Sequence, residues 1–320
     1  MKILVVGAGV IGTVYATRLQ NSGHSVTVLA RGDRLEHVQR FGLEIEDLLT
    51  GTRAVAHPAV TARLAPNDAF DLVLVAVRLD QLDEILPELT AYLGCPSVLF
   101  LLNNPSGSGR VLSALGGGRG LLGFPGVGGS RDGGLVRYAL IAQQPTMLGE
   151  LDGRSSERVR QLQVALRGAG FPTRVSSEME AWLMGHGFFI AAVCGAIYRA
   201  GGTCSGLSRD TDSLTVMTMG VREGFAAVRT LGLPVTPLSL RVLFIWLPRS
   251  FAISYWRRFF ATSTAEFVFG RHARSAPGEV RAVATECRAL LSRSGLPSPA
   301  LDRLFEATDH YQPKPSRPTG

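Results

Sequence analysis

Gly7, Gly9 and Gly12 stand at the spacing Gly-x-Gly-x-x-Gly, and two arginines, Arg31 and Arg34, follow one apolar run later. Glycines at this spacing can hold a pyrophosphate. The first allows a tight turn, the second lets backbone approach phosphate oxygens, and the third lets a helix pack close to a strand. The helix that starts there turns free N–H groups and a positive dipole end toward the anion. Gly7, Ala8, Gly9, Val10, Ile11 and Gly12 are therefore the expected cradle of a dinucleotide. The residues after the next strand choose between coenzymes. An acid there would accept from the ribose 2′-OH of NAD. This chain has Ala30-Arg31-Gly32-Asp33-Arg34, two cations where a 2′-phosphate would lie, so the expected cofactor is NADP.

The flanking residues fit the elements such a turn requires. Ile3–Val6 is an apolar, β-rich run, residues 14–23 read as a helix closed by Gly23, and residues 26–29 form a second strand. Strand and helix signals then alternate. Residues 43–45, 70–77 and 97–102 read as strands, the last two apolar enough to be buried on both faces of a parallel sheet. Residues 80–92 read as a helix, and 121–124 as a short strand. Residues 138–141 and 146–149 suggest an antiparallel pair near the sheet edge. A helix over 155–169 and a strand over 172–175 close this half.

From Ser176 helical periods take over, with helices expected over 178–199, 214–231, 237–247, 252–269 and 278–294. The expected fold class is α/β: a Rossmann-like doubly wound parallel sheet over residues 1–175, then an all-α domain over 176–308. The Pro-rich polar stretch 309–320 is expected to be a disordered tail.

Composition narrows the partners. The chain has 320 residues, enough for two domains, and Lys plus Arg exceed Asp plus Glu by 33 to 26. The lysines are Lys2 and Lys314, and the arginines are dispersed rather than interleaved with aromatics. That pattern suits acidic small ligands or solubility, not nucleic acid. Cys95, Cys194, Cys204 and Cys287 match neither a metal knuckle nor a Cys-x-x-Cys pair, so reduced core thiols of a cytoplasmic protein are expected, with no metal. The apolar run Val242–Leu247 is interrupted by Pro248, Arg249, Arg257 and Arg258 and falls short of a membrane span. A buried helix pair or an oligomer face is expected there, with a homodimer through the helical domain.

Several short segments, in order along the chain, resemble the ketopantoate reductase (2-dehydropantoate 2-reductase) family. Val77-Arg78-Leu-Asp-Gln81 is similar to its Val-Lys-x-x-Gln segment, and Leu102-Asn103-Asn104-Pro105 to its Gln-Asn-Gly turn. Gly149-Glu150 is similar to its Gly-Glu, and Gly295-Leu-Pro-Ser-Pro299 to its closing Gly-x-x-x-Pro. The resemblance covers Met1 to about Glu306. It implies NADPH-dependent hydride transfer to a 2-oxo acid or related small carbonyl, with Asn104 beside the nicotinamide, Glu279 on the substrate hydroxyl and Ser263 as a further substrate contact.

The chain departs from that family where negative charge would build on the carbonyl oxygen and a proton must arrive. The family carries Lys, Asn and Asn on one face of the first long helix of the second domain. Trp182 is kept, but those positions are Met184, Phe188 and Ala192. This loss leaves room for two other readings, a non-catalytic NADP(H)-binding protein or a reductase of a bulkier apolar carbonyl. His186 is titratable and can act as a general acid, or it is a core histidine. It lies two residues from Met184, about 200° around a helix. Tyr198 could add a hydroxyl. Arg78 either pairs with phosphate or substrate carboxylate or is a strand-end surface charge. Glu279 either meets substrate or complements the dipole of the helix after Pro277. Met217 and Met219 read as packing residues.

Overall fold

The computed structural model describes residues 1–65, 67–116, 118–141 and 144–312. Contacts divide the chain into two compact units, Met1–Glu180 and Ala181–Gly320. The first unit opens with β1 (Lys2–Val6), α1 (Val10–Asn21), β2 (Ser25–Leu29), α2 (Gly32–Phe41), β3 (Leu43–Asp47), β4 (Arg53–Ala56), β5 (Ala59–Thr61) and β6 (Leu72–Val75). A 3-10 turn (Leu79–Gln81) leads into α3 (Leu82–Ala91). Then come β7 (Val98–Leu101), α4 (Ser108–Leu115), β8 (Gly120–Phe124), β9 (Val127–Asp132), β10 (Leu135–Leu140), β11 (Thr146–Glu150), α5 (Glu157–Gly168) and β12 (Thr173–Val175).

The main sheet runs β12-β11-β8-β7-β6-β1-β2-β5. From β5 to β8 every pairing is parallel. The chain winds outward from β1 through β2 to β5, returns to β6 on the other side of β1, and winds on through β7 and β8. The order thus reverses between β1 and β6, and in open α/β sheets ligands bind beyond the carboxyl ends of strands at such a reversal. β1, β6 and β7 are almost wholly buried, which is why each reads as a continuous apolar run.

A second sheet, β4-β3-β10-β9, was not foreseen. It lies on α1, which is therefore covered on both sides; Gly12 through Thr17 and Leu19 are all buried. The expected pairing of 138–141 with 146–149 is not formed. β10 pairs antiparallel with β9 and parallel with β3, whereas β11 joins the main sheet antiparallel to β8. The cause is the two-residue turn Gly133-Gly134 after Asp132, a turn type whose twist suits a hairpin. It commits β10 to its immediate predecessor.

The second unit is helical. α6 (Met179–Arg199) crosses the contact division in its first turn. It is followed by α7 (Cys204–Arg209), α8 (Thr211–Thr230), α9 (Leu238–Arg241), α10 (Arg249–Phe260), α11 (Ser263–Ala265), α12 (Arg271–Ser275), α13 (Pro277–Ser294) and α14 (Pro299–His310). The helix expected over 237–247 forms, but its second half, Val242–Trp246, is π-helical. The helix expected over 252–269 is broken. α10 stops at Phe260, Thr262 caps α11 by accepting from the Ala265 N–H, and a second π-helical stretch spans Glu266–Gly270. The threonine hydroxyl starts a new helix where hydrophobic periodicity alone would continue the old one. By length and composition α6 could cross a bilayer, but its whole apolar window is buried inside the fold. Asp309 and His310 belong to α14, and residues 313–320 of the expected tail lie outside the described residues.

Candidate functional site

In the first unit, topology brings the sequence-derived cofactor residues to one end of the main sheet. Gly7–Gly12 follows β1, Arg31 and Arg34 follow β2, Arg78 follows β6, and Asn104 follows β7. The three glycines are held for different reasons. Gly7 has φ +99°, and a side chain there would meet the Ala76 carbonyl oxygen at 2.8 Å. At Gly12 a Cβ would stand 1.8 Å from the Gly7 carbonyl oxygen. Both are demanded by the protein's own backbone. Gly9 is exposed, and no atom lies within 4 Å of where its Cβ would be. It also occupies the N-cap of α1, supplies no side-chain cap, and no acid sits in the first turn. Nothing in the protein requires glycine there. Open space and uncapped N–H groups at that point fit an anion approaching the backbone.

Arg34 leans onto this turn. Its Nε donates to the Ala8 carbonyl oxygen at 2.9 Å and a terminal nitrogen to Thr13 Oγ1 at 3.1 Å. Burial lowers its pKa, with nearby Arg131 adding to the shift. Arg31 is more exposed and pairs with Glu88 of α3 at 2.8 Å. Arg78 is exposed and pairs with Asp80 at 3.2 Å. Asn104 is 2% exposed. Its Nδ2 donates to the Gly107 carbonyl oxygen at 2.8 Å, which assigns the amide, and its Oδ1 is buried without a hydrogen-bond partner. A buried acceptor left open is costly unless a ligand N–H or O–H meets it. Glu150 is clamped by Arg158 and Ser156 at the start of α5, a structural use of the Gly-Glu pair.

The second unit holds the remaining candidates. Met184, Phe188 and Ala192 are all buried. Phe188 packs on α8, where a Cβ at Gly224 would come within 2.5 Å of the Phe188 ring. This face is core. His186 lies on a different stripe of α6, stacked on Trp182 at 4.8 Å between centroids and 6.2 Å from Phe189. Phe189 continues into Phe244, Trp256 and Phe269. Burial, with a contribution from His272, holds the His186 pKa down to about 3. The stacking on Trp182 and the lowered pKa both count against a general acid near pH 7, although His186 is partly rather than fully buried.

Glu279, 7% exposed, lies 3.9 Å from Nε2 of His272 on α12. His272 escaped the sequence reading, because the helix expected over 252–269 ended short of it. The spacing His272-x₆-Glu279 across a Pro-Gly helix start was the available signal. The Tyr198 hydroxyl donates to the Ala273 carbonyl at 2.6 Å, a structural bond. Ser263 is exposed and lines an open hollow with Thr203, Ser205, Thr262 and Glu266. Neither His272 nor Glu279 lines that hollow, so Ser263 is not brought to Glu279. The four cysteines are free and buried, and among the described residues no cluster of His, Cys, Asp or Glu could hold a metal.

Residues 3–153 match the family model described as ketopantoate reductase PanE/ApbA. An uncharacterized oxidoreductase, YkpB, of Bacillus subtilis (strain 168) is 27% identical over 61% of this chain and 64% of its own length. A 2-dehydropantoate 2-reductase of Pyrococcus horikoshii is 25% identical over 76% of this chain and 79% of its own. The chain thus spans a little under two-thirds of the first relative. Among solved structures, the 2-dehydropantoate 2-reductase of Geobacter metallireducens GS-15 superposes with a TM-score of 0.79 at 20% identity, covering 97% of this chain and 99% of that one. D-mandelate dehydrogenase in a ternary complex with NADH and anilino(oxo)acetate gives a TM-score of 0.79 at 16% identity, with 97% of both chains covered. The fold is shared over nearly the whole length, and over residues 3–153 the chain is similar to the ketopantoate reductase PanE/ApbA family.

Proposed function

We propose that this chain is an NADPH-dependent reductase of a 2-oxo acid or related small carbonyl compound. The observation that carries the reading is the turn after β1. Gly9 leaves open space at an uncapped helix start, and Arg34 is bonded to the same turn. Oxidoreductase relatives and the NADH complex of D-mandelate dehydrogenase support the same chemistry. When bound, the coenzyme supplies hydride. The backbone of Gly9–Gly12 holds the pyrophosphate, Arg31 and Arg34 favour the 2′-phosphate, and Asn104 Oδ1 accepts from the nicotinamide carboxamide or ribose.

The carbonyl oxygen still needs a proton. With Met184 where the resemblance places lysine and His186 held neutral, a histidine and carboxylate that stand close together in the second unit are His272 and Glu279. In this reading the carboxylate orients the imidazole, and the imidazole donates the proton. We further propose that the exposed apolar residues Leu238, Trp246, Phe251 and Tyr255 of the helical unit meet a second copy of the chain, and that the protein is cytoplasmic.

The test is NADPH oxidation against a panel of 2-oxo acids that includes ketopantoate, run beside a coenzyme titration, on the unmodified protein and on His272→Asn. Turnover of at least one carbonyl is expected, with kcat lowered about 100-fold in His272→Asn and coenzyme affinity unchanged. Tight NADPH binding with no turnover of any carbonyl would refute the catalytic reading. An unchanged kcat in His272→Asn would remove the proton-donor role alone.

A further inference from the structure

The small second sheet places a cation beside the glycine turn. Strand β9 crosses the start of α1 so closely that a Cβ at Gly129 would lie 3.0 Å from Val10 Cγ1. Side chains two apart on a strand share a face. Arg131 therefore projects from the same face of β9 as the Gly129–Val10 contact. The register agrees: Gly129 and Arg131 sit opposite Tyr138 and Val136, both of which are buried and belong to the core that includes α1. Arg131 stands at the exposed end of this face, near enough to Arg34 for its charge to bear on that guanidinium.

Charge pairing on the two faces of the hairpin is opposite. On the outer face Arg137 is paired with both Glu46 and Asp132. On the α1 side, among the described residues, no carboxylate is paired with Arg34 or Arg131. Among the described residues Arg34 bonds to neutral oxygens of the turn, Ala8 O and Thr13 Oγ1. Two neighbouring guanidinium groups repel unless an anion lies between them, and a dianionic phosphomonoester is the ligand that two such forks suit.

We propose that Arg131 and Arg34 together form a two-guanidinium site for the 2′-phosphomonoester of NADPH, so that coenzyme choice is made by the second sheet as well as by the loop after β2. This rests on the coenzyme reading above. The backbone N–H groups at the start of α1 remain for the pyrophosphate, and the arginine pair handles the extra phosphate.

The experiment compares unmodified protein with Arg131→Gln, Arg131→Lys and Arg34→Gln. Dissociation constants are measured for NADPH, NADH, 2′,5′-ADP and 5′-ADP. Arg131 is exposed and has no ion pair among the described residues, so the melting temperature of its variants should match that of the unmodified protein. Losing a charge-assisted bond costs roughly tenfold or more in affinity. Arg131→Gln should weaken NADPH and 2′,5′-ADP about tenfold and leave NADH and 5′-ADP within about twofold, with Arg131→Lys between. Equal losses for NADPH and NADH would assign Arg131 to the pyrophosphate and overturn the proposal. So would NADPH affinity unaltered in Arg131→Gln while the unmodified protein still prefers NADPH; in that outcome the coenzyme reading survives. An unmodified protein that binds neither coenzyme would overturn both.

Discussion

The turn after β1 and the middle of α6 are both places where the family resemblance assigns chemistry, and the structure treats them in opposite ways. At the turn Gly9 faces nothing within 4 Å, and after β7 Asn104 keeps a buried acceptor unpartnered. In α6 the corresponding positions are filled from within. Met184, Phe188 and Ala192 are buried, and Phe188 lies on α8 at Gly224. Unsatisfied polar groups and uncapped backbone are a cost that a fold keeps only where something else satisfies them, whereas apolar side chains in close contact need no ligand. The first unit keeps open space at Gly9 and an unpartnered acceptor at Asn104, features a ligand would satisfy. In the other half, the α6 positions that the resemblance aligns with lysine and asparagines are buried.

The largest effect that would break this contrast lies within the glycine turn itself. Gly12→Val should cost about 4 kcal/mol or more and lower the melting temperature sharply, because its Cβ would collide with the Gly7 carbonyl oxygen 1.8 Å away. Gly9→Val should melt close to the unmodified protein and fail to bind a dinucleotide, measured by thermal unfolding and by fluorescence titration. A Gly9→Val protein that still binds would make the whole turn structural.

Next in size is the acid response of α6. The His186 imidazole is held at about 3, below its ordinary 6.5, first by burial and then by His272. The folded state therefore resists protonation that the unfolded chain accepts. The stabilisation is complete above about pH 6.5 and is lost as pH falls toward 3, up to about 3 kcal/mol between pH 7 and 4. Urea unfolding at several pH values should show this fall, and His186→Phe should flatten it. If the slope is the same in both, the imidazole is not the core group described here.

The smallest effect separates the two arginines of the loop after β2. Arg34 is bonded to the turn, whereas Arg31 is exposed and paired with Glu88. Surface ion pairs contribute little, and charge-assisted bonds in a partly buried setting contribute more. Arg34→Ala should reduce the NADPH-over-NADH preference about tenfold or more, and Arg31→Ala by less, in a direct binding assay. The reverse order would make the exposed arginine the phosphate contact.

Much of the first unit was readable because its signals are local. An apolar run, a glycine triplet and the start of a helix are adjacent in sequence, so Gly7–Gly12 and the strands at β1, β6 and β7 could be placed without knowing what packs on them. The small sheet was missed for the opposite reason. β3 pairs with β10, some ninety residues away, and its strands are short and only partly buried. The hairpin signal Asp132-Gly133-Gly134 was in plain view, yet the nearby apolar run 146–149 offered a rival partner. His272 was missed because the helix expected over 252–269 ended short of it, whereas the chain continues into α12 at Arg271–Ser275.

By itself the sequence determined the fold class, the position of the glycine turn and the resemblance to the ketopantoate reductase family, since each depends on residue identity at short range. Tertiary structure decided the rest. It separated Gly9, which faces open space, from Gly12, which faces a carbonyl oxygen. It turned Phe188 into core and His186 into one layer of an aromatic stack. It set Glu279 near His272, left Ser263 in a separate hollow, and let the charge of Arg131, on a different sheet, bear on Arg34. Motif spacing states which side chains are available. Burial, charge neighbours and the room left around an atom arise only when distant segments pack, and they decide which of those side chains can meet a ligand.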